Sequence, residues 1–228
     1  MIRKLSFRRN KTYSEVLSLQ KAEFNRRVEC RKEGRELPED IIYFVEHMPA
    51  YTLGKHGDCS HLLFRAQELK ERGIEYFETD RGGDITYHGP GQLTVYPIID
   101  LLRYRLGVKD YVYLLEESVI RTVKDYGLKG ERIEGKTGVW IGKGTERERK
   151  ISAIGIKCSR FVTMHGLSLN VGSDISNFSG IVPCGLPNDI TSISLEANRE
   201  IDLKEVEEKL WSHITRLLLL RIPSQENS

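Results

Sequence analysis

Cys184 stands in the run Gly180-Ile181-Val182-Pro183-Cys184-Gly185-Leu186-Pro187, between a proline and a glycine. A structural cysteine usually packs as a small hydrophobe inside an element. A thiol held on a stiff loop beside glycine can instead offer a thiolate to an electrophilic carbon. Cys158, at the end of an apolar run, is the internal competitor, and Cys30 and Cys59 have no comparable setting. Lys150 heads the small and apolar stretch Ile151-Ser152-Ala153-Ile154-Gly155-Ile156. Positive charge at Arg147 and Arg149, with partial burial, lowers the pKa of such a lysine. It then either serves a thiolate chemistry or is an ordinary edge lysine.

Two further segments carry polar groups on unusual backbone. Arg81-Gly82-Gly83-Asp84-Ile85-Thr86-Tyr87-His88-Gly89-Pro90-Gly91-Gln92 holds four glycines and a proline in 12 residues. Glycine permits close approach of another molecule to the backbone, and Arg81 and His88 supply handles at either end; the alternative is a turn whose glycines serve geometry alone. The spacing is neither that of a dinucleotide fingerprint nor that of a phosphate-binding Walker loop. In Met164-His165-Gly166-Leu167-Ser168-Leu169-Asn170 small residues alternate with apolar ones, as in a strand with something packed close to one face. His165 is either a base or a structural histidine.

These groups need a scaffold. Thr12-Tyr13-Ser14-Glu15 reads as a capping box opening a helix to about residue 33, stopped by Gly34. A short helix is predicted over 65–72, ended by Gly73, and apolar spacing predicts another over 110–126; Asp202-Leu203-Lys204-Glu205 reads as an Asp variant of the capping box that opens a last helix to about 221, ended by Pro223. Strands are predicted at 2–7, 41–46, 75–78, 93–99, 139–141, 151–156 and 166–171. This order is not a strict strand–helix alternation, so the expected class is α+β with a mixed sheet. No linker interrupts the chain, and one domain over residues 1–228 is the simplest division.

The 228 residues carry 35 Lys and Arg against 33 Asp and Glu, which argues against a general nucleic-acid binder. Residues 1–35 hold 11 basic and 4 acidic side chains, so a basic segment is balanced by an acidic remainder. That segment is either a solvated face or a docking surface for an acidic partner. No apolar run is long enough to span a membrane, and the first residues lack the apolar core of a secretory signal. A cytoplasmic protein with reduced thiols is therefore expected. The four cysteines show neither zinc spacing nor a disulfide framework, and no metal site is expected.

The runs Arg81-Gly82-Gly83 with Thr86 to Gln92, Lys150-Ile151 with Ala153-Ile154-Gly155, His165-Gly166-Leu167 with Leu169-Asn170, and Pro183-Cys184-Gly185 together resemble the bacterial lipoyl (octanoyl) transferases. Tyr51-Thr52-Leu53-Gly54 is similar to a further family segment, and the likeness covers roughly residues 41–195. The resemblance implies the fold of the biotin and lipoate ligases, a mixed sheet with flanking helices. It implies transfer of an octanoyl or lipoyl group from acyl carrier protein to a lysine of lipoyl domains, those of 2-oxoacid dehydrogenase complexes and the glycine cleavage H protein. Cys184 then matches the acyl-thioester nucleophile and Lys150 the residue that lowers its pKa. Arg81, Gly82, Gly83, Asp84, Ile85, Thr86, Tyr87 and His88, with Ala153, Ile154 and Gly155 and with Gly166, Leu167 and Ser168, match the substrate-binding stretches. Neither ATP nor another cofactor is implied, because the acyl group arrives on the phosphopantetheine of the carrier. The stretch 142–149 is longer and more charged than the family pattern. The rival on the same fold is an ATP-dependent lipoate or biotin ligase.

Overall fold

The computed structural model describes residues 1–8, 11–182 and 190–222. Thr12 caps the first helix as its sequence requires: its side chain accepts from the Glu15 N–H at 3.2 Å while Glu15 reaches back to the Thr12 N–H at 2.7 Å. Helix α1 (Tyr13–Lys32) connects strand β1 (Ile2–Arg8) to β2 (Asp40–Glu46), and the two strands pair in parallel, as a helical crossover allows. Along the chain follow β3 (Ala50–Leu53), α2 (Ala66–Glu71), β4 (Glu75–Glu78), β5 (Thr86–His88), β6 (Gln92–Ile98) and α3 (Val108–Lys124). Then come β7 (Gly130–Ile133), β8 (Lys136–Ile141), β9 (Arg149–Ser159), β10 (Val162–Asn170), α4 (Ile193–Ala197) and α5 (Leu203–Leu219).

Among the described residues the strands form a seven-stranded sheet in the order β1-β2-β6-β10-β9-β8-β7 and a three-stranded sheet in the order β4-β3-β5. Every neighbour in the large sheet beyond the β1–β2 pair is antiparallel. The mixed sheet with flanking helices is thus the α+β class expected from the sequence. No helix among the described residues is long and apolar enough to cross a membrane.

Side-chain alternation sorts the two faces. Ile42, Phe44, Leu93, Val95, Leu167 and Leu169 point to one face, where Leu115 and Val119 of α3 and Leu210 and Ile214 of α5 cover them. Tyr43, Val45, Tyr96 and Met164 point to the other, under Val16 and Phe24 of α1. Helix α1 covers only part of that second face. The rest, over β9 and the end of β10, is roofed by the small sheet and the glycine-rich segment.

Strands β3, β5 and β7 and helix α4 do not stand out in the sequence. All are three to five residues long, and β5 lies inside the glycine-rich run. Strand β9 is longer than its apolar stretch suggests, because backbone pairing with β10 continues from Ser152 to Ser159 whatever the side chains. Asp202 caps α5 on one side only, accepting from Lys204 N–H at 2.8 Å, while Glu205 pairs with Lys209 instead of closing a box. Pro223 lies outside the described residues.

Candidate active site

A cavity of about 310 Å³ lies on the α1 face of the large sheet, between the sheet and the glycine-rich roof. Register puts Ala153 opposite Ser168 and Ser168 opposite Thr94, so one row of small side chains crosses β9, β10 and β6. Gly155 faces Gly166 in the next row. A Cβ on Gly155 would stand 2.5 Å from the Gly82 carbonyl oxygen and 3.3 Å from Arg81 Cδ. Glycine at 155 is therefore what lets the roof settle on β9, and the Gly82 N–H donates to the Ile156 carbonyl at 2.9 Å. Trp140, Lys150 and Ile190 line the cavity at its β8–β9 side, and Tyr13, Thr94 and Tyr96 line it where α1 meets β6.

Lys150 reaches this cavity through a bulge. Val139 pairs with Ser152 but the next residue, Trp140, pairs with Lys150, so β9 carries one extra residue against β8. Without it, strict alternation would put Lys150 on the same face as Ile154, which packs on the α3–α5 core. The bulge re-aims the lysine, leaving Ile151 in the core and Lys150 half-buried on the cavity face. Its ammonium lies 4.7 Å from the centroid of the Trp140 ring, a cation–π contact. Arg149 does not share this setting. It is held on Glu196, Nε to Oε1 at 2.6 Å and Nη2 to Oε2 at 2.5 Å.

The roof is pinned by polar contacts. The Arg81 guanidinium donates to the Thr52 carbonyl at 2.6 Å, to Thr52 Oγ1 at 3.0 Å and to the Gly82 carbonyl at 3.0 Å, tying the loop to β3. Asp84 lines the cavity, yet its carboxylate is engaged by His61 Nδ1 at 2.6 Å and by the Asp58 N–H at 3.3 Å. His88 is buried with Nδ1 2.8 Å from Gln92 Oε1. Burial drives its pKa down to about 4, so the ring is neutral at pH 7. Gln92 passes the chain on: its Nε2 donates to Asn170 Oδ1 at 3.0 Å, and Asn170 Nδ2 donates to the Thr191 carbonyl at 3.0 Å. The Thr191 N–H in turn donates to the Lys150 carbonyl at 3.0 Å. A continuous line of hydrogen bonds thus joins the glycine-rich segment to the lysine strand.

His165 adopts φ +60 within β10 and is buried. Its Nε2 lies 2.8 Å from Asp80 Oδ1, and Asp80 Oδ2 accepts from Lys157 at 2.6 Å. Burial lowers the imidazole pKa against the pull of Asp80, so a neutral ring donates to an ionised carboxylate. His47, also buried, shares a hydrogen bond of 2.8 Å with the Tyr96 hydroxyl and is held neutral by burial.

Of the stretches singled out in the sequence, Arg81, Gly83, Asp84, Ile85, Thr86, His88, Lys150, Ala153, Ile154, Gly155, Gly166, Leu167 and Ser168 all line the cavity. Gly82 acts beside it through its backbone, and Tyr87 turns into the small-sheet core, its hydroxyl accepting from Asn177 at 3.0 Å and its ring against Tyr51 and Phe178. Cys184 lies outside the described residues. The described residues that flank its segment are anchored: Ile181 bridges to Leu62, the Val182 N–H donates to the His61 carbonyl at 2.9 Å, and Ile190 bridges to Lys150. Sequence reasoning missed Tyr13, Thr94, Tyr96 and Trp140. Nothing in a helix start or an apolar strand marks Tyr13 or Trp140 for a cavity; for Thr94 and Tyr96, two apart on β6, the shared face was the available signal.

The basic segment does not form a uniform cationic face. Lys4 pairs with Glu207 and Glu208 at 3.1 and 2.7 Å, Arg8 pairs with the buried Glu207, and Arg31 pairs with Asp100 at 2.5 Å. Arg27 is buried, bound to Glu23 and to the Glu39 carbonyl. Acidic residues distant in sequence therefore neutralise much of the local excess.

The architecture is that of the lipoate- and biotin-ligase catalytic domains. A bipartite lipoate protein ligase from Thermoplasma acidophilum, solved as part of a lipoylation system with its E2 lipoyl domain, superposes with a TM-score of 0.71 at 15% identity, covering 100% of this chain and 87% of that one. The biotin protein ligase of Aquifex aeolicus superposes with a TM-score of 0.55 at 11% identity, covering 97% and 71%. Residues 12–215 match the lipoyl protein ligase A/B catalytic domain, and the chain belongs to that family. Within it, the chain is 45% identical over 222 residues to the octanoyltransferase of Christiangramia forsetii, covering 94% of this chain and 95% of that protein. It is 47% identical over 208 residues to the octanoyltransferase of Bacteroides fragilis, covering 91% and 94%.

Proposed function

We propose that this protein is an octanoyltransferase of protein lipoylation. It takes an octanoyl group from the thioester of acyl carrier protein and delivers it to the ε-amino group of a lysine on a lipoyl domain. The single observation that carries this reading is the near-full-length identity to proteins named octanoyltransferase. The cavity supports it: a trough of small residues with an aliphatic and aromatic lining suits an alkyl chain.

The chemistry runs in two transfers. The Cys184 thiolate attacks the carrier thioester, the carrier thiolate leaves, and one thioester replaces another at little thermodynamic cost. The acceptor amine then attacks the enzyme thioester, loses a proton and expels the Cys184 thiolate, leaving an amide. A cysteine of pKa about 8.5 is only a few per cent thiolate at pH 7. The Lys150 ammonium raises that fraction by stabilising the anion, and in its neutral form accepts the proton of the incoming amine. The bulge that turns Lys150 to the cavity, and the bridge from Lys150 to Ile190 next to the Cys184 segment, support this pairing. The donor is already activated, so the reaction balances without ATP, metal or redox cofactor. A reduced thiol of this kind suits a cytoplasmic enzyme, and one catalytic domain over residues 1–228 suffices for both transfers.

The test is incubation with octanoyl-acyl carrier protein in the absence of ATP, read by intact mass. One octanoyl group is expected on the wild type and none on Cys184→Ala, and the wild-type adduct should be discharged by added lipoyl domain. A wild type that gains no octanoyl group without ATP, and modifies lipoyl domain only with octanoate and ATP, refutes the reading in favour of the ligase.

A further inference from the structure

We infer that Tyr13 is the end wall of the acyl slot and sets the longest chain that it accepts; this rests on the octanoyl-transfer reading of the cavity. The slot has a direction. Lys150 and Trp140 stand at one side, where Ile190, the described residue that follows the Cys184 segment, bridges to Lys150, and the row Ala153–Ser168–Thr94 leads away from them across the strands. From β9 over β10 to β6 is two strand spacings, about 9.6 Å. Seven C–C bonds of roughly 1.5 Å in a zigzag advance about 9 Å, the reach of an extended octanoyl chain. At that distance the small residues end, and Tyr13 descends from the first turn of α1 onto β6.

The ring is built to stay. Tyr13 is 1% exposed. Its centroid lies 4.8 Å from Phe77, 5.1 Å from His47 and 5.8 Å from His88, with which it stacks at 11°. Rings on three sides leave it no alternative rotamer without repacking. Tyr96 completes the wall, its hydroxyl held by His47. Among the described residues the Tyr13 hydroxyl makes no hydrogen bond, so the ring serves here by its bulk.

The experiment compares kcat/KM for hexanoyl-, octanoyl-, decanoyl- and dodecanoyl-carrier protein in the wild type, Tyr13→Leu, Tyr13→Phe and Tyr13→Trp. Tyr13→Leu should raise the decanoyl-to-octanoyl ratio, by about fourfold for each extra methylene buried. Tyr13→Phe should keep the wild-type ratio, and Tyr13→Trp should move the optimum toward hexanoyl. The same ratios are read by calorimetric binding of free octanoate and decanoate, which needs no transfer. If the wild type transfers no octanoyl group but Tyr13→Leu still gains decanoate affinity, the functional reading fails and the wall stands. A folded Tyr13→Leu with the wild-type chain-length ratio in both assays overturns the wall. Should Tyr13→Leu not fold, Tyr13→Trp decides: an unchanged optimum overturns it equally.

Discussion

Gly155→Ala probes the contact on which the whole roof rests. The added methyl group would sit 2.5 Å from the Gly82 carbonyl oxygen, where ordinary contact begins at 3.4 Å, so the roof must lift by about 0.9 Å. Gly82 is backbone and cannot rotate aside as a flexible side chain can. Lifting it stretches the 2.9 Å Gly82 N–H to Ile156 bond past a useful length and drags Arg81 from Thr52. Overpacking costs about 1–3 kcal/mol, and the lost hydrogen bond adds about 0.5–1.5 kcal/mol. A loss of roughly 2–4 kcal/mol lowers Tm by about 5–15 °C in a chain of this size. The raised roof also deforms the slot, so KM for octanoyl-carrier protein should rise by about tenfold per 1.4 kcal/mol of lost binding. Gly34→Ala is the control. Gly34 has φ +67 with nothing within 4 Å of a built Cβ, so it costs about 1–2 kcal/mol of backbone strain and leaves KM unchanged. Calorimetric melting and steady-state transfer read both variants. A Gly155→Ala protein that melts no lower than Gly34→Ala and keeps its KM would refute the packing argument.

Lys150→Met retains a stem against Trp140 and removes the charge. The pH midpoint for alkylation of Cys184 should rise by about one unit for each 1.4 kcal/mol of thiolate stabilisation lost, and an unchanged midpoint removes Lys150 from the pair. His88 gives the acid limb of stability. Its folded pKa of about 4 lies below the unfolded value of 6.5, so the unfolded chain binds the extra proton between those pH values. Its contribution is whole above pH 6.5 and is lost as pH falls to 4, by about 3 kcal/mol in all. Urea titrations from pH 4 to 7 should show the slope of stability against pH reduced by about one proton in His88→Gln, and equal slopes would exclude His88 as the titrating group.

The charge distribution shows how position in the fold revises a reading from the sequence. Reversing Arg8 would place a carboxylate against the buried Glu207, and reversing Arg27 would bury an unpaired acid, so both test stability more than docking. Arg26 is exposed beside Glu23 and is the cleaner probe of an acidic partner.

Much of the scaffold and the chemistry was legible in one dimension because it rests on local rules. Thr12 with Glu15 caps α1, Gly34 ends it with a positive φ, and β10 alternates small and apolar residues at Gly166, Leu167, Ser168 and Leu169. The glycine-rich run, Lys150 and the Ala153–Gly155 stretch announced themselves by composition, and of these Arg81, Gly83, Asp84, Ile85, Thr86, His88, Lys150, Ala153, Ile154 and Gly155 line the cavity. What the tertiary structure decided is orientation and partnership. One extra residue in β9 turns Lys150 from the core to the cavity, and a bulge is defined by the strand opposite, which the sequence of β9 does not contain. Arg81 read as a handle for a ligand and Asp84 as part of a substrate-binding stretch, yet their partners Thr52 and His61 lie 29 and 23 positions away and make them part of the roof. Tyr13 joins the site from a helix start because α1 crosses over β6, a packing choice made by the apolar faces of both. Local spacing determines which elements form and which residues are unusual; contacts between distant segments determine which way each of those residues points, and hence what it can do.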